Sequence, residues 1–191
     1  ARLALNYSEI LYEHREVELK NKPRAMLEAS PKGTVPVFIA STESVIDESL
    51  DLMMWALNQN DPNNWYIGLT LPQRQLCDKL IQRNDYDFKS WLDKYKYSVG
   101  YPEHPPEYYR DKACDFLSLL EQQLKEHNFL LGEEKTLADI AIFPFIRQFA
   151  FVDKPWFDQS PYPTLQAWLD GFLTSEEFLV VMTKFKPWNE D

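Results

Sequence analysis

A proline-led strand followed by an acidic residue and a serine is the feature that most constrains this chain. The stretch spans residues 32–49, which begin KGTVPVFI and end, after a polar turn, in VIDES. A proline that begins a strand cannot donate a hydrogen bond to a sheet ladder, so it is tolerated only at an edge or a strand start. The pattern predicts strands at 37–39 and 45–47, paired as a hairpin, and then a helix that starts at Glu48.

This stretch predicts a receptor for a short peptide. A cis Val35–Pro36 bond, which the sequence leaves open, would turn the Val35 N–H and C=O groups outward. An extended peptide could then pair with those groups as an added strand. The free N–H groups at the helix start, near Glu48 and Ser49, suit a carboxylate. The expected ligand is therefore a short peptide with a free α-carboxylate.

The same motifs resemble the glutathione site of the cytosolic glutathione transferases. The resemblance is carried by SPKGTVPV at 30–37, by DES at 47–49, and by LKNKP at 19–23, which is similar to the Omega-like branch. Gly132 and TLAD at 136–139 resemble the motif that starts a helix in the second domain of that family. The resemblance therefore covers nearly the whole chain.

The resemblance implies a two-domain fold. Expected are an α/β thioredoxin-like domain at 1–58 that lacks its first strand in this sequence, a linker at 59–65, and an all-α helical bundle at 66–191. The polar run NQNDPNN at the end of the first part marks the same boundary by composition. Within the first domain, residues 12–19 are charged at most positions and are predicted to form an edge strand.

The resemblance also implies a role for each site residue. Val35, followed by Pro36, would pair through its backbone with the cysteinyl part of glutathione. Ser49 and the helix N–H groups would bind the γ-glutamyl carboxylate, and Glu48 would attract the ammonium group. Lys20 would neutralise the glycyl carboxylate. Taken singly, the same residues also fit a strand start, a helix opening and a solvated surface charge.

The reactive group of the family is expected upstream of Ala1. Members of the family have a first strand and the residue that faces the glutathione sulfur before the point where this sequence begins. That residue is cysteine in Omega-like members and serine or tyrosine in others. Cys77 and Cys114 lie on apolar faces of predicted helices, as core cysteines do. The histidines have no metal-ligand spacing and no paired nucleophile, so no metal is expected.

The expected function is that of a glutathione-dependent transferase or a thiol-disulfide exchange enzyme that removes glutathione. Its second substrate would be a small hydrophobic electrophile or a mixed disulfide, bound against aromatic residues such as Trp91 and Tyr95. Glutathione is the expected co-substrate, and a homodimer is expected because similar proteins are usually dimers. The alternative is a non-catalytic interaction protein of the same fold.

Composition argues against several other classes. The net charge of −10 argues against nucleic acids and anionic membranes, because phosphate binding needs clustered Lys and Arg. The apolar runs are too short to predict a membrane-spanning helix. Two cysteines in 191 residues do not make a disulfide framework, and a cytoplasmic location is expected.

Overall fold

The structure is a computed structural model that describes residues 1–41 and 44–189. The chain divides into unit 1, which comprises Ala1–Asn63 and Glu176–Asp191, and unit 2, which comprises Asn64–Ser175. The helices in chain order are α1 Arg2–Tyr7, α2 Arg24–Ala29, α3 Ser49–Gln59, α4 Leu71–Arg83, α5 Lys89–Lys96, α6 Pro106–Glu126, α7 Leu137–Ala150, α8 Lys154–Asp158, α9 Pro163–Thr174 and α10 Glu176–Val181. The strands are β1 Phe38–Ser41 and β2 Ser44–Ile46.

The predicted hairpin in unit 1 forms. Strands β1 and β2 pair antiparallel, with Phe38 opposite Ile46 and an irregular register between Ile39 and Ser41. The Phe38 ring packs on the Trp55 ring of α3 with a centroid separation of 5.0 Å. The hairpin is thereby fixed against the helix that follows it, which turns its buried stripe of Leu52, Met53, Ala56 and Leu57 inward.

The predicted edge strand at residues 12–19 does not form. The described residues of this segment make only isolated bridges, Glu16 with Pro187 and Glu18 with Asn21. The Trp188 N–H donates to the Glu16 carbonyl oxygen at 2.8 Å, so the C-terminal segment pairs with a single position. A regular strand needs a continuous ladder, and one bridging neighbour does not supply it.

Within unit 1, the C-terminal segment packs against residues near the N-terminus, which the sequence did not predict. Helix α10 contacts α1. The Arg15 guanidinium lies 4.5 Å from the centre of the Trp188 ring, and His14 packs on Phe185 with a centroid separation of 4.6 Å. The predicted domain limits of 1–58, 59–65 and 66–191 stay a prediction.

The regular secondary-structure elements described in unit 2 are helices, as predicted. The apolar stripe of α6 is buried at Ala113, Phe116, Leu117, Leu120 and Leu124. A π-helical segment, Asn84–Phe88, lies between α4 and α5. This segment keeps both Asn84 and Phe88 buried.

The motif at 136–139 forms a buried capping box at the start of α7. Asp139 Oδ2 accepts from the Thr136 N–H and hydroxyl, both at 2.9 Å. Asp139 Oδ1 accepts from the Leu130 N–H at 3.0 Å and from the Trp168 indole N–H at 3.1 Å. Burial raises the pKa of Asp139, and these donors act in the opposite direction. The box therefore satisfies free N–H groups and connects α7 to α9, as a structural motif does.

A search of the described helices for one both long enough and apolar enough to cross a membrane finds none.

Candidate functional site

The turn between α2 and β1 has an unusual backbone at two places. The Val35–Pro36 bond is cis. Gly33 has a φ of +62°, and a Cβ there would lie 3.2 Å from Leu27 Cδ2 and 3.4 Å from Lys22 Nζ. The left-handed backbone and the close neighbours together favour glycine at this position.

Val35 lies exposed in the turn before β1. Its side chain is half-exposed, and among residues 1–41 and 44–189 neither its N–H nor its C=O has a backbone partner. Unpaired backbone groups at the surface can add a further extended chain. The geometry of Val35 therefore suits the pairing expected from the sequence.

Helix α3 begins at Ser49, one residue later than predicted, because Glu48 has an extended backbone with φ −114° and ψ 136°. The Glu48 carbonyl oxygen accepts from the Leu52 N–H at 3.0 Å, but no side chain of the described residues caps the helix start. Both Glu48 and Ser49 are exposed. The uncapped N–H groups of the first turn are therefore available to an anion.

Lys32 joins the turn to the helix start, and sequence reasoning did not assign it a role. Its ammonium group donates to Glu48 Oε1 at 2.7 Å and to Asp47 Oδ1 at 2.9 Å. The buried Ser30 donates its hydroxyl to Asp47 Oδ2 at 2.7 Å. The hydrogen bond to Glu48, and to a smaller extent the one to Asp47, raises the pKa of Lys32. The hydrogen bond from Ser30, and to a smaller extent the one from Lys32, lowers the pKa of Asp47. Opposite charges fifteen and sixteen residues apart were the available signal, but only hairpin closure brings them together.

The two lysines of the LKNKP motif have different environments. Lys20 is exposed in a tight turn bounded by the Glu18–Asn21 bridge, and it makes no described hydrogen bond or ion pair with Val35, Glu48 or Ser49. Lys22 is half-buried with its amino group against the Gly33 turn. The structure thus brings together the turn, Glu48 and Ser49, but it does not join Lys20 to them.

Neither cysteine has the environment of a reactive thiolate. Cys77 is fully buried, and burial raises the pKa of its thiol to about 12. Cys114 is half-buried, and burial raises the pKa of its thiol as well. A thiol that stays protonated is a poor nucleophile, which agrees with the core role predicted for both. No group of three or more potential metal ligands occurs within the described part of the chain.

The two aromatic residues suggested for the second substrate differ in exposure. Tyr95 is buried in unit 2, where its ring packs on Phe149 at 5.3 Å. Trp91 is half-buried, and the Lys94 ammonium lies 4.8 Å from its ring centre. Within unit 2, Trp91 is therefore the one of the pair that a ligand could reach.

Two family models match the chain, one in each half. The glutathione S-transferase N-terminal domain matches residues 1–65, and the glutathione S-transferase C-terminal domain matches residues 109–171. The chain belongs to the glutathione S-transferase family. The two-part architecture described above is the glutathione transferase fold, and membership supports a glutathione-dependent transferase activity.

Individual relatives agree with this assignment. The glutathione S-transferase GstB of Escherichia coli strain K12 is 29% identical over 185 residues, which cover 87% of this chain and 80% of that protein. The bacterial glutathione transferase BphK, solved as a ternary complex, matches with a TM-score of 0.78 and 19% identity over 95% of this chain and 90% of its own. The transferase URE2P6 of Phanerochaete chrysosporium, solved with oxidized glutathione, matches with a TM-score of 0.78 and 18% identity over 94% of this chain and 87% of its own. The two solved structures support the fold.

Proposed function

We propose that this glutathione transferase is of the Omega-like, cysteine-type branch and transfers glutathione to or from a small electrophile or a mixed disulfide. The observation that supports glutathione binding is the pair of bonds from Lys32 to Asp47 and Glu48, whereas the branch is proposed from the LKNKP motif at 19–23. These bonds hold the turn that presents Val35 beside the uncapped start of α3. We therefore expect one short peptide to reach from the Val35 backbone to the N–H groups at the start of α3.

Each proposed contact uses a group that the site leaves accessible. The Val35 backbone, preceding Pro36, would pair with the cysteinyl residue of glutathione. The Ser49 hydroxyl and the first N–H groups of α3 would bind the γ-glutamyl carboxylate, since partial positive charge collects at a helix start. Glu48 would bind the ammonium group. Lys20 would act on the glycyl carboxylate from its exposed turn.

The chemistry proposed is thiol transfer. A thiolate attacks the sulfur of a glutathione mixed disulfide, a new disulfide forms to the attacking sulfur, and the other thiol leaves as thiolate. Reduced glutathione then attacks that new disulfide and releases glutathione disulfide. If serine or tyrosine faced the sulfur, it would instead stabilise the thiolate of glutathione for attack on an electrophile. The identity of the reactive residue stays a prediction.

A non-catalytic interaction protein is the second candidate. The observation that favours it is the buried, protonated state of Cys77 and the raised pKa of Cys114, which leave no cysteine fit for thiol transfer in the described residues. This candidate would keep the glutathione transferase fold as a binding module.

Two assays separate these candidates. The first follows release of thiol from a cysteine–glutathione mixed disulfide, and the second follows conjugation of glutathione to an aryl halide. Thiol release faster than the uncatalysed rate supports the proposal, and conjugation alone supports a serine or tyrosine mechanism. Saturable glutathione binding with neither activity supports the non-catalytic candidate.

We further propose that the protein is a cytoplasmic homodimer. Both cysteines are free thiols in the structure, which suits a reducing compartment. Light scattering on the purified protein tests the dimer, and a single-chain mass would contradict it.

A further inference from the structure

We propose that Lys32 sets the specificity of the glutathione site by competing with the substrate ammonium group for Glu48. The inference rests on the proposed function, because it assumes that glutathione binds at this helix start. It adds a residue and a role that the expected set of Lys20, Val35, Pro36, Glu48 and Ser49 does not contain.

Lys32 occupies one oxygen of the carboxylate assigned to the substrate ammonium group. Its Nζ lies 2.7 Å from Glu48 Oε1, the distance of a charge-assisted hydrogen bond. A protonated lysine and the ammonium group of a γ-glutamyl residue carry the same charge and the same kind of donor. Glu48 is therefore already partly neutralised before a ligand arrives.

Asp47 gives Lys32 a second partner, so that Lys32 can release Glu48 without losing all pairing. Lys32 Nζ lies 2.9 Å from Asp47 Oδ1, and Asp47 Oδ2 is held by the hydroxyl of the buried Ser30 at 2.7 Å. Lys32, Asp47 and Glu48 all keep some solvent exposure, with side-chain values of 50%, 26% and 63%. The exchange of one ammonium group for another therefore needs only a side-chain movement at the surface.

Competition of this kind reduces the benefit that a ligand gains from its own amino group. With Lys32 present, the ligand ammonium group replaces or shares an existing ion pair. Without Lys32, the ammonium group of glutathione meets an unpaired Glu48 carboxylate. A ligand without the ammonium group would instead place its own carboxylates beside two acidic residues, Asp47 and Glu48. Specificity is a difference of affinities, so the effect appears in a ratio.

The test compares glutathione with the analogue whose γ-glutamyl residue is replaced by a glutaryl group, which lacks only the amino group. The measured quantity is Kd for the analogue divided by Kd for glutathione, from calorimetry on the full chain. We expect Lys32→Met to raise this ratio about tenfold over the wild-type value, because an uncompeted charge-assisted bond then distinguishes the ligands. Lys32→Arg, which keeps the charge, is expected to leave the ratio within about twofold of wild type.

Lys184→Met is the matched control. Lys184 is an exposed lysine of unit 1 outside the proposed site, so the substitution makes the same change of net charge. The control should keep the wild-type ratio. A ratio that rises as much in Lys184→Met as in Lys32→Met would overturn the inference, because net charge alone would then explain the effect.

A Glu48→Gln background completes the test as a double-mutant cycle. If Lys32 acts through Glu48, then Lys32→Met should no longer change the ratio once Glu48 is uncharged. A wild-type ratio in Lys32→Met, or an equal rise in the Glu48→Gln background, overturns the role of Lys32 and leaves the proposed function standing. Failure of wild type to bind glutathione at all overturns both. Because the ratio uses one protein for two ligands, a partial loss of folded protein does not alter it.

Discussion

Ser30 donates its buried hydroxyl to Asp47 Oδ2 at 2.7 Å, and this bond connects the turn before Val35 to the residue that precedes Glu48. The two residues are seventeen positions apart and meet because the hairpin of β1 and β2 closes between them. Asp47 in turn holds Lys32, so the shape of the candidate site depends on a short polar chain from Ser30 to Glu48.

The first prediction concerns the pKa of Asp47. Hydrogen bonds from Ser30 and Lys32 hold it below the ordinary value of 3.8. Ser30→Ala removes the first-named cause, so the pKa of Asp47 should rise toward the ordinary value. Carbon-13 NMR titration of the carboxyl group measures it directly. Ser44→Ala is the control and should leave the pKa of Asp47 unchanged. An unchanged pKa of Asp47 in Ser30→Ala would show that Ser30 does not hold Asp47.

The linkage of this group to stability has a definite sign. A carboxyl whose folded pKa is lowered stabilises the protein above its unfolded pKa, and that contribution disappears as the pH falls through the folded value. The window therefore lies below pH 3.8 for Asp47. Because the Asp47 and Lys32 side chains are 26% and 50% exposed, solvent screens their interaction and the contribution is small.

The second prediction concerns Glu48 and glutathione. We expect Glu48→Ala to weaken glutathione binding at least about tenfold, because the ligand ammonium group loses its charged partner. Thermal stability should change little, because the Glu48 side chain is 63% exposed and its partner Lys32 retains Asp47. Calorimetry and a thermal melt measure the two effects. Glu28→Ala, which removes an exposed partner of Arg24 in α2, is the control. Equal glutathione affinity in Glu48→Ala and wild type would refute the role.

The third prediction concerns the capping box of α7. Asp139→Ala would leave the donors of Thr136, Leu130 and Trp168 buried without an acceptor. We expect a loss of about 3 kcal/mol in the free energy of unfolding, since breaking a buried charged network costs about that much. Asp139→Asn keeps one acceptor oxygen and should lose less. Urea unfolding compares both variants with wild type, and a loss in Asp139→Ala no larger than that of an exposed substitution would contradict the account.

The fourth prediction concerns alkaline pH. Burial raises the pKa of Cys77 from 9.0 to about 12, so between these values the unfolded chain loses a proton that the native chain keeps. The free energy of unfolding should therefore fall as the pH rises above 9.0, by up to about 1.4 kcal/mol per pH unit from this group. Unfolding of wild type and Cys77→Ala at pH 9 and above measures the difference in slope. Parallel slopes would show that Cys77 is not linked to unfolding.

The sequence predicted what depends on local pattern. The hairpin, the helix after Glu48 and the capping box at Thr136 each follow from residues a few positions apart, and all three are present. The edge strand at 12–19 was wrong because its pairing is decided by Pro187 and Trp188 at the far end of the chain.

The missed parts of the site share that physical cause. The partners of Lys32 are set by hairpin closure, and periodicity does not report such a contact. Outside the site, the π-helical segment Asn84–Phe88 was not predicted either, because the apolar spacing of the sequence does not distinguish a π-helix from an α-helix. The motif identified Glu48 and Ser49 by residue type, whereas only the fold shows that a lysine already bonds to Glu48.

Titration of the full chain with reduced glutathione in a calorimeter tests the central claim most directly. The account predicts saturable binding of one glutathione per chain, weakened in Glu48→Ala and retained in Glu28→Ala. Absence of saturable binding at millimolar glutathione by the folded wild-type protein would contradict it.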